Sequence, residues 1–133
     1  MHDPSQLDLT PLSRALASLD EGLAQPPRNK LERDGVIQRF EYTFELCWKS
    51  IQKALVVLGR TDVSGSPKPL FRDALREGWI ADLSSWFSCL EARNETTHIY
   101  NEAVAERVYK VAAGFPLLAH ALLVNLRQAL AGS

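Results

Sequence analysis

The chain has 133 residues, 46% of them apolar and 23% charged, with a formal net charge of −1. That length suits one domain with one core, expected over 1–133, and the near-neutral balance excludes a molecule that draws in nucleic acid or anionic lipid by its bulk field; only a local basic patch could do so. The opening "MHDPSQLDLTPL" has no basic-then-apolar leader, and the longest apolar stretch, "FPLLAHALLVNL", is short and carries His120 and Asn125, so no membrane span is expected and the protein reads as cytoplasmic.

In chain order the punctuation is that of helices. Thr10 followed by Pro11 is an N-cap with proline at the first helical position. Leu12, Leu16, Leu19 and Leu23 then form one apolar stripe, which "QPPRN" ends. A second, long helix carries Ile37, Phe40, Phe44, Cys47, Ile51, Leu55 and Leu58 in an unbroken three–four rhythm. Asp34 is its expected cap, Gly59 its left-handed terminator, and Glu45 with Lys49 an i,i+4 pair on another face. "TDVSGSPKP" at 61–69 is a loop, and a short helix from about Pro69 to Glu77 closes at Gly78. The next helix begins near Asp82 and carries Leu83, Trp86, Phe87 and Leu90. The last runs from Glu102 to Ala131 behind Asn101, on a stripe of Val104, Val108, Val111, Phe115, Leu118, Leu122, Leu126 and Leu130. That register passes through Pro116, which predicts one kinked helix rather than two. Four long helices and one short one, with short connections, predict an all-α, antiparallel up-and-down bundle.

Several chemistries are missing. There is no Gly-rich phosphate loop, no G-x-S-x-G, no D-x-D pair and no H-E-x-x-H, and Cys47, Cys89, His2, His98 and His120 lack zinc-like spacing. No metal or cofactor is expected. Cys47 and Cys89 lie in apolar helical patterns and read as buried free thiols. Trp48, Trp79 and Trp86 read as core or interface anchors.

The run "EARNETTHIYNE" at 91–102 breaks the pattern. Continued at helical spacing, the face that carries Trp86, Phe87 and Leu90 would next carry Arg93, Asn94, Thr97 and His98. Two explanations stand side by side. The helix leaves the core there, with Arg93 solvated and His98 a surface residue or a cap; or the polar set is a site. Arg93 and His98 on a straight helix would point about 140° apart, so convergence on one substrate needs a helix end between them or a second molecule.

"RNETTHIY" resembles the R-N-x-x-x-H-x-Y motif of HEPN-domain proteins, and "RDGVIQRFEYTFELCWKSIQKAL" resembles the long helix of their nucleotidyltransferase substrate-binding branch. The likeness runs from about Asp34 to Lys110. It implies an up-and-down helical bundle, a homodimer, and a small nucleotidyltransferase as partner. In the toxins of the family, the motif arginine and histidine form a metal-independent ribonuclease site near the dimer cleft. Carried over, these are Arg93 and His98, with Asn94 as polar neighbour. In one branch the partner adenylylates the motif tyrosine, which here is Tyr100. Histidine suits proton transfer near neutral pH, and arginine offers phosphate a planar fork. Three functions remain open: such a ribonuclease, a non-catalytic subunit that presents nucleotide or another substrate to the nucleotidyltransferase, and a plain structural dimer.

Overall fold

The computed structural model describes residues 7–132. Among them are α1 (Thr10–Leu23), α2 (Lys30–Val57), α3 (Pro67–Glu77), α4 (Leu83–Asn94), a 3₁₀ turn (Thr96–His98) and α5 (Glu102–Ala131), with no strand. The expected all-α helical bundle is what forms. α4, expected among the long helices, has 12 residues, one more than the 11 of α3.

α2 is the central element and packs against all four other helices. Its buried residues recur every seven positions: Arg33, Phe40, Cys47 and Ala54 in one column, Ile37, Phe44 and Ile51 beside it. α5 answers with Ala105, Val108, Ala112, Phe115, Ala119, Leu122 and Leu126, at alternating spacings of three and four. Such a 3.5-residue repeat is what two helices need to keep one seam in contact. The alanines on the α5 line are wholly buried and leave room for the aromatic residues of α2. The expected stripe is therefore half right. Val108, Phe115, Leu122 and Leu126 lie on the buried line, whereas Val104, Val111, Leu118 and Leu130 flank it. At the middle of the core, Phe44 meets Phe40, Phe71, Trp86 and Phe115 at centroid distances of 5.7–6.3 Å. Each fully buried ring of this kind contributes roughly 1.5–3 kcal/mol.

Helix ends depart from the sequence reading in instructive ways. α1 begins at Thr10 itself, and the Asp8 carboxylate accepts the Thr10 N–H at 2.9 Å. α2 begins a full turn before Asp34. Asn29 caps it by accepting the Glu32 N–H at 2.9 Å, and Glu32 reaches back to the Arg28 N–H at 2.9 Å, a variant of the capping box. Asp34 lies inside the helix and pairs with Arg33. α3 begins at Pro67, not Pro69, because proline at the first helical position costs no hydrogen bond. Gly59 (φ +87) and Gly78 (φ +80) both terminate helices as expected. At the end of α2 the Gly59 and Arg60 N–H groups return to the Val56 and Leu55 carbonyls, each at 3.0 Å. α5 is continuous through Pro116, with Phe115 and Ala119 buried on either side of it.

The expectation that no stretch could span a bilayer needs correction at α5. Its 30 residues include an 18-residue window of mean hydropathy 1.3, enough by length and composition. Counting uninterrupted apolar residues misses this, because small and weakly polar residues are interspersed. In the fold, the apolar line of α5 packs on α1, α2 and α4.

Candidate functional site at the end of helix α4

α4 is set in place at its start by Asp82, whose carboxylate accepts the Ser85 N–H at 3.1 Å. Trp86, Cys89, Leu90 and Ala92 turn its apolar face to the core. The helix stops at Asn94, where the Glu95 N–H returns to the Glu91 and Ala92 carbonyls at 3.1 Å. The chain then makes the 3₁₀ turn, and Asn101 caps α5 by accepting the Ala103 and Val104 N–H groups at 3.0 and 3.3 Å. The change from apolar to polar residues is thus a helix end. Asn94, Thr97, His98 and Tyr100 are exposed, so for them the helix does leave the core.

Arg93 does not follow them. Its side chain is 26% exposed and its Nε lies 2.9 Å from Glu45 Oε1 of α2. Nε is shielded from solvent and its N–H is not aligned for a true hydrogen bond, so the contact is an ion pair. The guanidinium stands 5.9 Å from the centroid of Phe44, over the rim of the aromatic core. Glu45 is itself oriented by the Trp48 indole, which donates to Oε2 at 2.9 Å. This is the partner of Glu45 in place of the expected Lys49, whose ammonium sits 5.8 Å from the Trp48 ring. One turn earlier on α2, Glu41 Oε2 lies 2.9 Å from Thr96 Oγ1, which also lies 2.8 Å from the Arg93 carbonyl.

His98 and Tyr100 are brought together: Nδ1 and the phenol oxygen are 3.4 Å apart, and the rings meet edge to face at 5.9 Å. Tyr100 is 84% exposed. His98 Nε2 has no hydrogen-bond partner among the described residues. α4 ends between Arg93 and His98, so the separation of about 140° on a straight helix does not apply to them. Sequence reasoning misses Glu41 and Glu45 as members of this cluster. Their signal is an E-x-x-x-E pair on the border of the α2 stripe, facing wherever α4 happens to end.

Cys47 and Cys89 are buried, unbridged thiols, as expected. Burial pushes the Cys89 thiol up to about 12. It raises Cys47 further, with Cys89 nearby as a smaller cause. A thiol so disfavoured as thiolate is no nucleophile at neutral pH.

The chain is thus a helical bundle in which α4 ends on Arg93 and Asn94 and the turn before α5 carries His98 and Tyr100 at its surface. The profile of the family described as "Nucleotidyltransferase substrate binding protein like" matches residues 7–128, and the chain belongs to that family. It is 31% identical over 137 residues to the "Probable ribonuclease HepT" of Haemophilus influenzae, covering 92% of this chain and 94% of that one. A crystal structure of a Thermus thermophilus protein superposes with a TM-score of 0.80 at 34% identity, over 87% of this chain and 98% of the other. A Haemophilus influenzae structure, described as revealing the fold of a substrate-binding domain of a nucleotidyltransferase, superposes with a TM-score of 0.79 at 30% identity, over 91% and 100%.

Proposed function

We propose that this chain is the partner subunit of a small nucleotidyltransferase in a two-component, toxin–antitoxin-like pair in the cytoplasm, and that it is a metal-independent ribonuclease acting as a homodimer. The observation that carries the reading is the arrangement around the end of α4. An exposed imidazole with Nε2 unengaged among the described residues stands just after an arginine whose Nε is held by Glu45. With Nε so occupied, the terminal nitrogens of Arg93 remain to meet a phosphate.

The chemistry follows from these groups. His98 of one copy takes the proton of a ribose 2′-hydroxyl, whose oxygen attacks the adjacent phosphorus. The bond from phosphorus to the 5′-oxygen breaks, and His98 of the second copy gives that oxygen a proton. A cyclic phosphate and a 5′-hydroxyl result. Arg93 stabilises the charge on the phosphorane, and Asn94 supplies an amide beside it. One histidine cannot act as base and acid in the same step, which is why two copies are required. Leu117 and Val124, 81% and 51% exposed on the outer face of α5, offer apolar surface for such pairing. The exposed hydroxyl of Tyr100 is open to adenylylation by the partner enzyme, which would place a bulky anion beside His98.

One observation favours the non-catalytic reading. The Arg93 charge is already matched by Glu45, as befits a group that shapes a binding surface for nucleotide or another substrate of the nucleotidyltransferase. Expression without the partner separates the two. A ribonuclease slows growth, and Arg93→Ala or His98→Ala relieves the arrest. Tyr100→Phe keeps the toxicity but escapes silencing by the co-expressed nucleotidyltransferase. Harmless expression with tight binding to that enzyme establishes the substrate-binding role instead.

A further inference from the structure

α3 and α4 enclose a groove of ≈ 630 Å³ that runs from Lys68 past Ser84, Phe87 and Ser88 to Asn94. Lys68 lines its α3 end, and Lys68 and Arg72, the latter outside the lining, each stand 5.4 Å from the centroid of the Phe87 ring. They are one helical turn apart on α3, and both are exposed. Among the described residues neither pairs with a carboxylate, whereas the next arginines along α3 and before it do: Arg76 with Asp73, and Arg60 with Glu77. An aromatic face attracts cations without cancelling their charge. Phe87, held from behind by Phe71 at 6.5 Å, therefore keeps two like charges side by side. In a chain of net charge −1, this is a local basic patch. Its groove ends at Asn94, beside Arg93. Glu91 is the carboxylate on the lining, and it lies toward the Asn94 end, one turn beyond Phe87 along α4.

We infer that this groove holds the phosphate backbone of a single-stranded RNA substrate on its way to the turn at 93–100. The inference rests on the ribonuclease reading and deepens it. From Phe87 to Asn94 is seven residues, about 10 Å of helix rise. That is the rise of about three stacked nucleotides. Lys68 and Arg72 thus bind phosphates about three nucleotides from the scissile one, and they govern affinity rather than the chemical step. Ser84 and Ser88, one turn apart along the same wall, offer hydroxyls to the strand between.

The test uses His98→Ala protein, so that bound RNA stays intact, and a fluorescein-labelled single-stranded 12-mer oligouridylate titrated at several salt concentrations. Each phosphate neutralised on a single strand contributes about −0.7 to the slope of log K against log salt. The added pair Lys68→Ala and Arg72→Ala should weaken binding and make the slope shallower by about 1.4 for each groove engaged. Both side chains are exposed, so the fold should persist, and affinity for the nucleotidyltransferase should not change. An unchanged slope in the variant, with the parent protein cleaving RNA normally, overturns the groove and leaves the ribonuclease reading intact. Loss of nucleotidyltransferase binding with RNA binding retained also overturns it, and makes the patch a protein-docking surface. If His98→Ala protein binds no RNA and the parent cleaves none, the groove falls together with the reading beneath it.

Discussion

Arg93 belongs both to the core and to the site. It sits on the rim of Phe44 and faces a single carboxylate. Removing that carboxylate leaves a shielded Nε with no counter-charge. Glu45→Ala should therefore cost more than the ~0–1 kcal/mol of an exposed ion pair, because a shielded charge loses its counter-charge and the Trp48 indole loses its acceptor. Urea unfolding of Glu45→Ala against Lys49→Ala, where the neighbouring cation has no such role, measures the difference. Glu102 gives a second test. The hydrogen bond from Arg33, itself only 6% exposed, holds the Glu102 carboxyl below its ordinary value of 4.5. A depressed carboxylate contributes stability above its unfolded pKa and loses it as pH falls through the folded one. Glu102→Gln should unfold at lower urea than the parent at pH 7, and the gap should close progressively as pH drops below about 4.5. A gap that widened in acid would contradict this pairing.

At the scale of elements, the two left-handed glycines isolate a backbone effect. A Cβ at Gly59 or Gly78 would meet nothing within 4 Å, so only the positive φ resists it. Gly59→Ala and Gly78→Ala should each lower stability by about 1–2 kcal/mol, as thermal or urea midpoints would show. The long helices are legible in the sequence because their apolar residues repeat on one face for many turns. What the repeat hides is equally physical. It places the start of α2 at Asp34 because the first buried rung of that helix is Arg33, a charge made tolerable by Asp34, Glu102 and Glu106. An arginine cannot announce a core position by hydropathy. On α5 the buried alanines at 105, 112 and 119 carry too little apolar weight to be distinguished from the larger residues beside them. The end of α4 is illegible for another reason. Nothing local forbids helix at 95–98; the chain turns there because Thr96 and Arg93 find partners on α2.

For the whole molecule, the motif residues are readable by likeness, but their surroundings are not. Glu41 and Glu45 lie about fifty positions before the turn they support, and no spacing rule joins them to it. The chemistry proposed here also demands more than one chain, since each brings a single motif histidine. Light scattering at micromolar concentration should therefore report a dimer. A monomer would remove the second proton-transfer group and with it the mechanism. The most direct test of the central claim is cleavage of single-stranded RNA by the purified protein, without its nucleotidyltransferase and in excess chelator. Cleavage to cyclic-phosphate ends is expected, reduced on the order of 10²–10⁴ by His98→Ala, abolished by Arg93→Ala and retained by Tyr100→Phe. RNA left intact by a folded dimer, or cleaved equally well by His98→Ala, would contradict it.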